Sequence, residues 1–144
     1  THGVLPYPPD VDDRPWWAGL WSPDAPRIVL RLPFGEAGNA RGAMDALVIA
    51  RVDPEETGDD RSLAVVETAG EVRRASLADM LGEAGLAGAL VCAASDGSSQ
   101  YLVELGEFVP NDDPRLAGLT GQKIVERVRV VGAYPTPLPD AGSR

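Results

Sequence analysis

The stretch Ser62–Phe108, SLAVVETAGEVRRASLADMLGEAGLAGALVCAASDGSSQYLVELGEF, decides how the rest of the chain is read. Ser62–Glu67 is a short β-rich apolar run, a strand. Within Val72–Ala84, Leu77, Met80, Leu81 and Ala84 recur at i, i+3, i+4 and i+7, one face of a helix. Thr68 with Glu71, or Ser76 with Asp79, offers a capping box for its start, and Gly85 offers a stop. Ala87–Ala94 and Gln100–Phe108 are strands, and the Asp96-Gly97 turn signal between them predicts an antiparallel hairpin. In the second strand Tyr101, Val103 and Leu105 share the parity expected to meet the core.

Working outward, Asp113 at the N-cap and Pro114 at the first helical position open a second helix, broken near Gly118–Gly121. Val125–Tyr134 alternates Val with Glu or Arg and is the last strand. From residue 62 the order is β-α-β-β-α-β, which predicts an α+β, ferredoxin-like domain over 62–135: four antiparallel strands with two helices on one face. The other sheet face then lacks a cover, and a homodimer through that sheet is the expected partner arrangement. Upstream, His2–Pro6, Arg27–Leu32 and Ala43–Val52 read as strands, and Arg14–Leu20 as one helical turn after Pro15. Asp10–Arg14 and Gly35–Gly42 read as loops. Asp53–Arg61 has no apolar residue, which makes residues 1–52 a β-rich N-terminal segment, 53–61 a linker and 136–144 a tail.

The composition narrows the function classes. Hydrophobic residues make up 44% and charged residues 24%, the mix of an ordinary globular protein. The longest apolar run, Ala87–Ala94, falls far short of the ~20 residues of a spanning helix. A net charge of −9 argues against nucleic acid and anionic membranes as partners. The single cysteine, Cys92, excludes an internal disulfide and suits a reducing, cytoplasmic compartment. No basic segment followed by an apolar core marks a signal peptide, and a chain that opens on Thr1 reads as a piece of a longer protein.

The chemistry-bearing inventory is thin. The one histidine, His2, sits at the N-terminus, and Cys92 in its apolar run reads as a buried inert thiol. Asp10–Asp13 and Glu55–Asp60 lack the spacing of a calcium loop and read as solvated acids, so no metal and no cofactor is expected. No glycine loop has the context of a phosphate cradle. Trp16, Trp17 and Trp21 read as core plugs, and Arg73-Arg74 as an exposed helix end. The loop with most promise is Thr68–Val72, between a strand and a helix, where backbone N–H groups lack helical partners and Gly70 admits close approach.

The segment YLVELGEFVPNDDPRLAGL followed by VERVRVVGAYPTPL resembles the C-terminal part of the ACT domain in prephenate dehydratases, whose final signature here stands as Val128-Arg129-Val130-Val131-Gly132-Ala133-Tyr134-Pro135. Gly3-Val4-Leu5-Pro6, RIVLRLPF and MDALVIARVDPEETGDDRSLAVVE resemble strands of the dehydratase catalytic domain and its junction, with a second lobe deleted between about Phe34 and Ala43. The family's catalytic Thr-Arg-Phe is replaced by Met44, Asp45 and Ala46, so the resemblance implies a non-catalytic tail of the kind that follows chorismate mutase domains. Its ligand motifs are altered to Gly70-Glu71-Val72 and Ala93-Ala94-Ser95-Asp96. The resemblance implies a regulatory or dimerisation module of aromatic amino-acid biosynthesis. A phenylalanine or tyrosine effector would lie at Thr68, Ala69 and Gly70, with Leu86, Ala87 and Gly88 across the interface. A divergent enzyme acting on prephenate or chorismate and a ligand-free protein-binding domain are the competing expectations.

Overall fold

A computed structural model describes residues 2–6, 8, 11–12, 15–21, 24–33, 45–52, 54–95 and 99–136. Its centre is β5 (Asp60–Thr68). The apolar run Leu63–Val66 is buried on both faces, which is why it reads as continuous rather than alternating. Ala64 and Val66 pack under the helices, and Leu63 and Val65 pack on the opposite side.

Around it lie β1 (His2–Pro6), β2 (Val11–Asp12), a 3-10 helix (Trp16–Trp21), β3 (Arg27–Pro33), β4 (Asp45–Ala50), α1 (Arg74–Glu83), β6 (Gly88–Ala94), β7 (Gln100–Leu105), α2 (Pro114–Thr120) and β8 (Val125–Pro135). All strands join one sheet in the order β1-β4-β3-β8-β5-β7-β6-β2. The β3–β8 and β2–β6 pairs are parallel and the others antiparallel. Among the described residues seven strands are full-length, and β2 adds a two-residue edge.

Two cores flank the sheet. Leu77, Leu81, Leu116 and Leu119 of the helices press on Ala64, Val66, Tyr101, Val103 and Leu105. On the other face the 3-10 helix seats Trp17 and Leu20 among Ile28, Leu47, Leu63, Val65, Leu102 and Val131. Register shifts at Ile28/Leu30, Leu63/Ala64, Glu67/Thr68 and Leu90/Cys92 bend the strands, and the sheet curls into a half-barrel. The curl is directly visible in the 3.0 Å ion pair of Arg31 on β3 with Glu104 on β7. These strands lie three positions apart, about 14 Å across a flat sheet at the usual strand spacing.

The architecture corrects the expected one. The elements after residue 60 lie close to where the sequence puts them, but they do not make a ferredoxin-like βαββαβ (ACT-like) domain with a small β-rich remnant in front. They are part of a single mixed, mostly β half-barrel, because β3 pairs in parallel with β8 and carries β4 and β1 into the same sheet. Strands from both sides of the 53–61 segment share that sheet. The face expected to be bare carries the 3-10 helix, which seats Trp17 and Leu20 on it.

Local signals fared unevenly. Asp113 caps α2 by accepting from the Arg115 N–H at 2.9 Å, with Pro114 following it. Gly85 ends α1 at φ +85, with Leu86 N–H reaching Leu81 O at 2.9 Å. Neither capping box forms: the N-cap is Arg73, which makes no side-chain cap bond, and Ser76 lies inside the helix. Thr68 instead stays in β5 opposite Val125. The β6–β7 hairpin forms in antiparallel register, while its Asp96-Gly97 turn, the 35–42 loop and Met44 lie outside the described residues. The loop expected at 10–14 contains β2. No helix among the described residues is long and apolar enough to cross a membrane.

Candidate functional site

The half-barrel has a seam. β3 and β8 share a single register pair, Ile28 with Gly132, so β3, which begins at Arg27, does not flank the N-terminal half of β8. Contact there depends on glycine: a Cβ on residue 132 would sit 2.4 Å from the Ile28 Cβ and carbonyl oxygen. Where β3 ends its cover, Asn111 takes over. Its side chain accepts from Val130 N–H at 2.8 Å and donates to Val130 O at 2.9 Å, as a neighbouring strand would.

A cleft of about 400 Å³ opens at this seam on the helix side of the sheet. It is lined by Val130, Gly132 and Ala133 of β8, by Phe108, Val109 and Pro110 after β7, and by Pro54. Its polar groups are Arg27, Asn111 and Asp112. A mostly apolar cavity with a few polar groups has the composition of a small-molecule site.

The wall is held rigidly. Ser62 Oγ donates to Glu107 O at 2.8 Å and accepts from Val109 N–H at 2.9 Å. Gly106 N–H donates to Ala87 O at 2.8 Å. Arg115 forks between Asp113 and Glu107 at 2.9 Å each and also reaches Gly85 O. The Arg115 side chain holds the Glu107 carboxyl below its ordinary value against the opposing effect of burial. Hydrogen bonds from the Arg115 side chain and backbone do the same for Asp113. The Arg115 guanidinium is in turn raised, by Asp113 first and Glu107 second. Beside the rim, burial pushes the Asp60 carboxyl up, but hydrogen bonds from the Thr57 side chain and the Thr57 and Gly58 amides outweigh it and leave it lowered.

The residues expected to bind an effector lie elsewhere, in two separate places. Thr68, Ala69 and Gly70 sit at the end of β5 that is in register with Val125. Leu86, Ala87 and Gly88 lie at the opposite end of the sheet, where Gly88 pairs with Leu105. The loop's donors are engaged: Thr68 N–H goes to Ser99 O at 3.0 Å, Ala69 N–H to Ile124 O at 2.8 Å, and Val72 N–H to the Tyr101 hydroxyl at 2.8 Å. Thr68 Oγ1 donates to Gly70 O at 2.5 Å. Leu86 is a core residue, and a Cβ at Gly88 would meet Leu105 at 2.8 Å.

Glu104 escaped the sequence reading as a functional position. It accepts from Arg31 at 3.0 Å, from Arg61 at 3.2 Å and from the Tyr134 hydroxyl, tying β3, β5, β7 and β8 together on the face of the 3-10 helix. A lone acid in the apolar strand YLVEL was the signal for it. Arg27 and Asn111 carried no comparable signal, because their roles depend on a seam between segments far apart in sequence. Among the described residues no group of three or more His, Cys, Asp and Glu is placed to hold a metal. Cys92, the one cysteine of the chain, is fully buried in the core below the 3-10 helix.

No family model and no curated protein matches the chain. One solved structure, described as "GqqA- a novel type of quorum quenching acylases", shares the fold with a TM-score of 0.58 at 17% identity, over 94% of this chain and 73% of that one. These findings overturn the resemblance to the ACT-like C-terminal region of prephenate dehydratases and to tails of chorismate mutase proteins. The regulatory or dimerisation module of aromatic amino-acid biosynthesis falls with it, as does the reading as a divergent enzyme of that chemistry. The Val128–Pro135 signature has a local explanation in this fold. Val130 and Val131 fill the two opposite cores, Gly132 lets Ile28 approach, and Tyr134 bonds Glu104.

Proposed function

We propose that this chain binds a small amphiphilic ligand, an acyl chain ending in a carboxylate, in the cleft at the β3–β8 seam. The supporting observation is the cleft itself: about 400 Å³, lined by Phe108, Val109, Val130 and Pro54, with Arg27, whose guanidinium also donates to Ala25 O at 3.0 Å, among its polar residues. An apolar wall selects for chain length, and a guanidinium selects for a planar anion. The structural neighbour described as an acylase belongs by that description to a class that handles acyl groups, which supports the choice of ligand. Binding rather than hydrolysis is the supported role. Ser62, whose hydroxyl is bonded on both sides by backbone, and Cys92, closed in the core, are poor nucleophiles. A single buried cysteine fits a reducing compartment such as the cytoplasm.

Calorimetric titration with N-acyl amino acids of increasing chain length tests this. Affinity should rise about four-fold per added methylene until the cleft is full. Arg27→Gln should weaken binding about ten-fold for the carboxylates and leave the corresponding amides unchanged. Free phenylalanine and tyrosine, the ligands expected from the sequence, serve as short-chain comparisons. No heat at millimolar concentration, or an affinity indifferent to chain length, would overturn the reading.

A further inference from the structure

On the opposite face of the sheet, under the 3-10 helix, hydrogen-bond donors outnumber acceptors. Among the described residues of β3, β5, β7 and β8, this face carries the guanidinium groups of Arg31, Arg61, Arg127 and Arg129 against the carboxylates of Glu67 and Glu104. Both carboxylates are taken. Glu104 serves Arg31, Arg61 and Tyr134. Glu67 accepts from Arg127 at 2.7 Å and from Gln100 at 3.0 Å. Arg127 also lies over the Trp21 ring, 3.9 Å from its centroid.

Among the described residues three buried N–H donors remain without an acceptor: Arg129 Nε, Trp17 Nε1 and Trp21 Nε1. They belong to one layer. Arg129 stands opposite Val65 in the β5–β8 register, and Val65 packs in the same core as the fully buried Trp17. Two residues along the same face of β8, Arg127 sits under Trp21, so Arg129 lies between the position beneath Trp21 and Val131, which packs in the Trp17 core. Buried donors are normally paired, and three of one kind in one layer are a departure from that rule.

We propose that the layer between the 3-10 helix and β8 is a binding site for an oxyanion, a carboxylate or phosphate group, received by Arg129 and the indole N–H groups of Trp17 and Trp21. A guanidinium presents parallel donors to two oxygens, and the indoles supply neutral donors from above. Burial first, and the Arg27 charge second, hold the Arg129 guanidinium below its ordinary value, and a bound anion relieves both. The site lies on the other face of the sheet from the cleft and stands independently of the function proposed there.

All three tryptophans of the chain, Trp16, Trp17 and Trp21, belong to this helix, so intrinsic tryptophan fluorescence reads this layer. Titration with inorganic phosphate and with acetate, at constant ionic strength set by chloride, should give a saturable change in emission with at least one of them. The stronger of the two identifies the group. Arg129→Gln should weaken that response at least ten-fold. Arg129→Met, which keeps the length and removes the charge, should melt no lower than the parent in chloride and should lose the anion-induced rise in Tm. No saturable change with either anion, a response that survives in Arg129→Gln, or an Arg129→Met protein that melts lower in chloride while keeping the response would overturn the proposal.

Discussion

The two edges of β8 are built in different ways. Toward β5 it runs antiparallel through nine register pairs, from Asp60 with Pro135 to Thr68 with Val125. Toward β3 it makes one parallel pair, Ile28 with Gly132. The first edge is held by a ladder of backbone bonds, and the second by side chains that reach across it. Trp17 shares one core with Ile28 and Leu47 from one half of the sheet and with Leu63, Val65 and Leu102 from the other. Glu104 collects Arg31 from one half and Arg61 and Tyr134 from the other. A ladder tolerates the loss of any single side chain, whereas a seam held by a few side chains does not. The same sparse pairing leaves the room that becomes the cleft.

That contrast can be broken most forcefully at Trp17. Trp17→Ala should cost about 4 kcal/mol in urea denaturation, since it empties the core that straddles the seam. Hydrogen exchange should then show β1, β3 and β4 losing protection before β5 and β8 do. Gly132→Ala comes next, at about 3 kcal/mol, because the added methyl would meet Ile28 backbone as well as side chain. Glu104→Gln should cost about 2 kcal/mol, leaving two guanidinium groups facing a neutral amide. An outcome in which Gly132→Ala is silent, or in which all strands lose protection together in Trp17→Ala, would show the seam to be as cooperative as the ladder.

Smaller effects sharpen the account of the cleft wall. Asp113→Ala removes the α2 cap and should cost about 1 kcal/mol. The carboxyls of Asp60, Glu107 and Asp113 are all lowered in the folded protein. Their contribution is therefore complete only above about pH 6, where these groups are ionised even in the unfolded chain, and is lost as pH falls below that and through the lower folded values. Urea midpoints measured from neutral pH downward should fall in that acid window, and Glu107→Gln should flatten the fall. A parent midpoint that does not change down to the lowest pH would contradict the hydrogen-bond geometry around Arg115.

Much of the local structure was legible because its causes are local. Leu77, Met80 and Leu81 form the buried stripe of α1, and Asp113-Pro114 and Gly85 act within a few residues of themselves. The cap at Thr68 does not form because its hydroxyl and amide are used by Gly70 and Ser99, and the second of these lies just before β7, distant in sequence. The candidate site was not legible at all. Arg27, Phe108, Asn111 and Val130 are brought together only when β3 docks on β8, and Arg129 counts as an unmatched donor only once Glu67 and Glu104 are seen to be occupied.

By itself the sequence determined where strands and helices form, since hydrophobic period, caps and breakers act over a few residues. Only the tertiary structure decided that the strands on both sides of the acidic 53–61 segment belong to one curled sheet. A parallel pairing between Ile28 and Gly132 spans about a hundred residues of chain, and no local pattern encodes it. It depends on one glycine small enough for two backbones to meet, and on a tryptophan and a glutamate that each reach both halves.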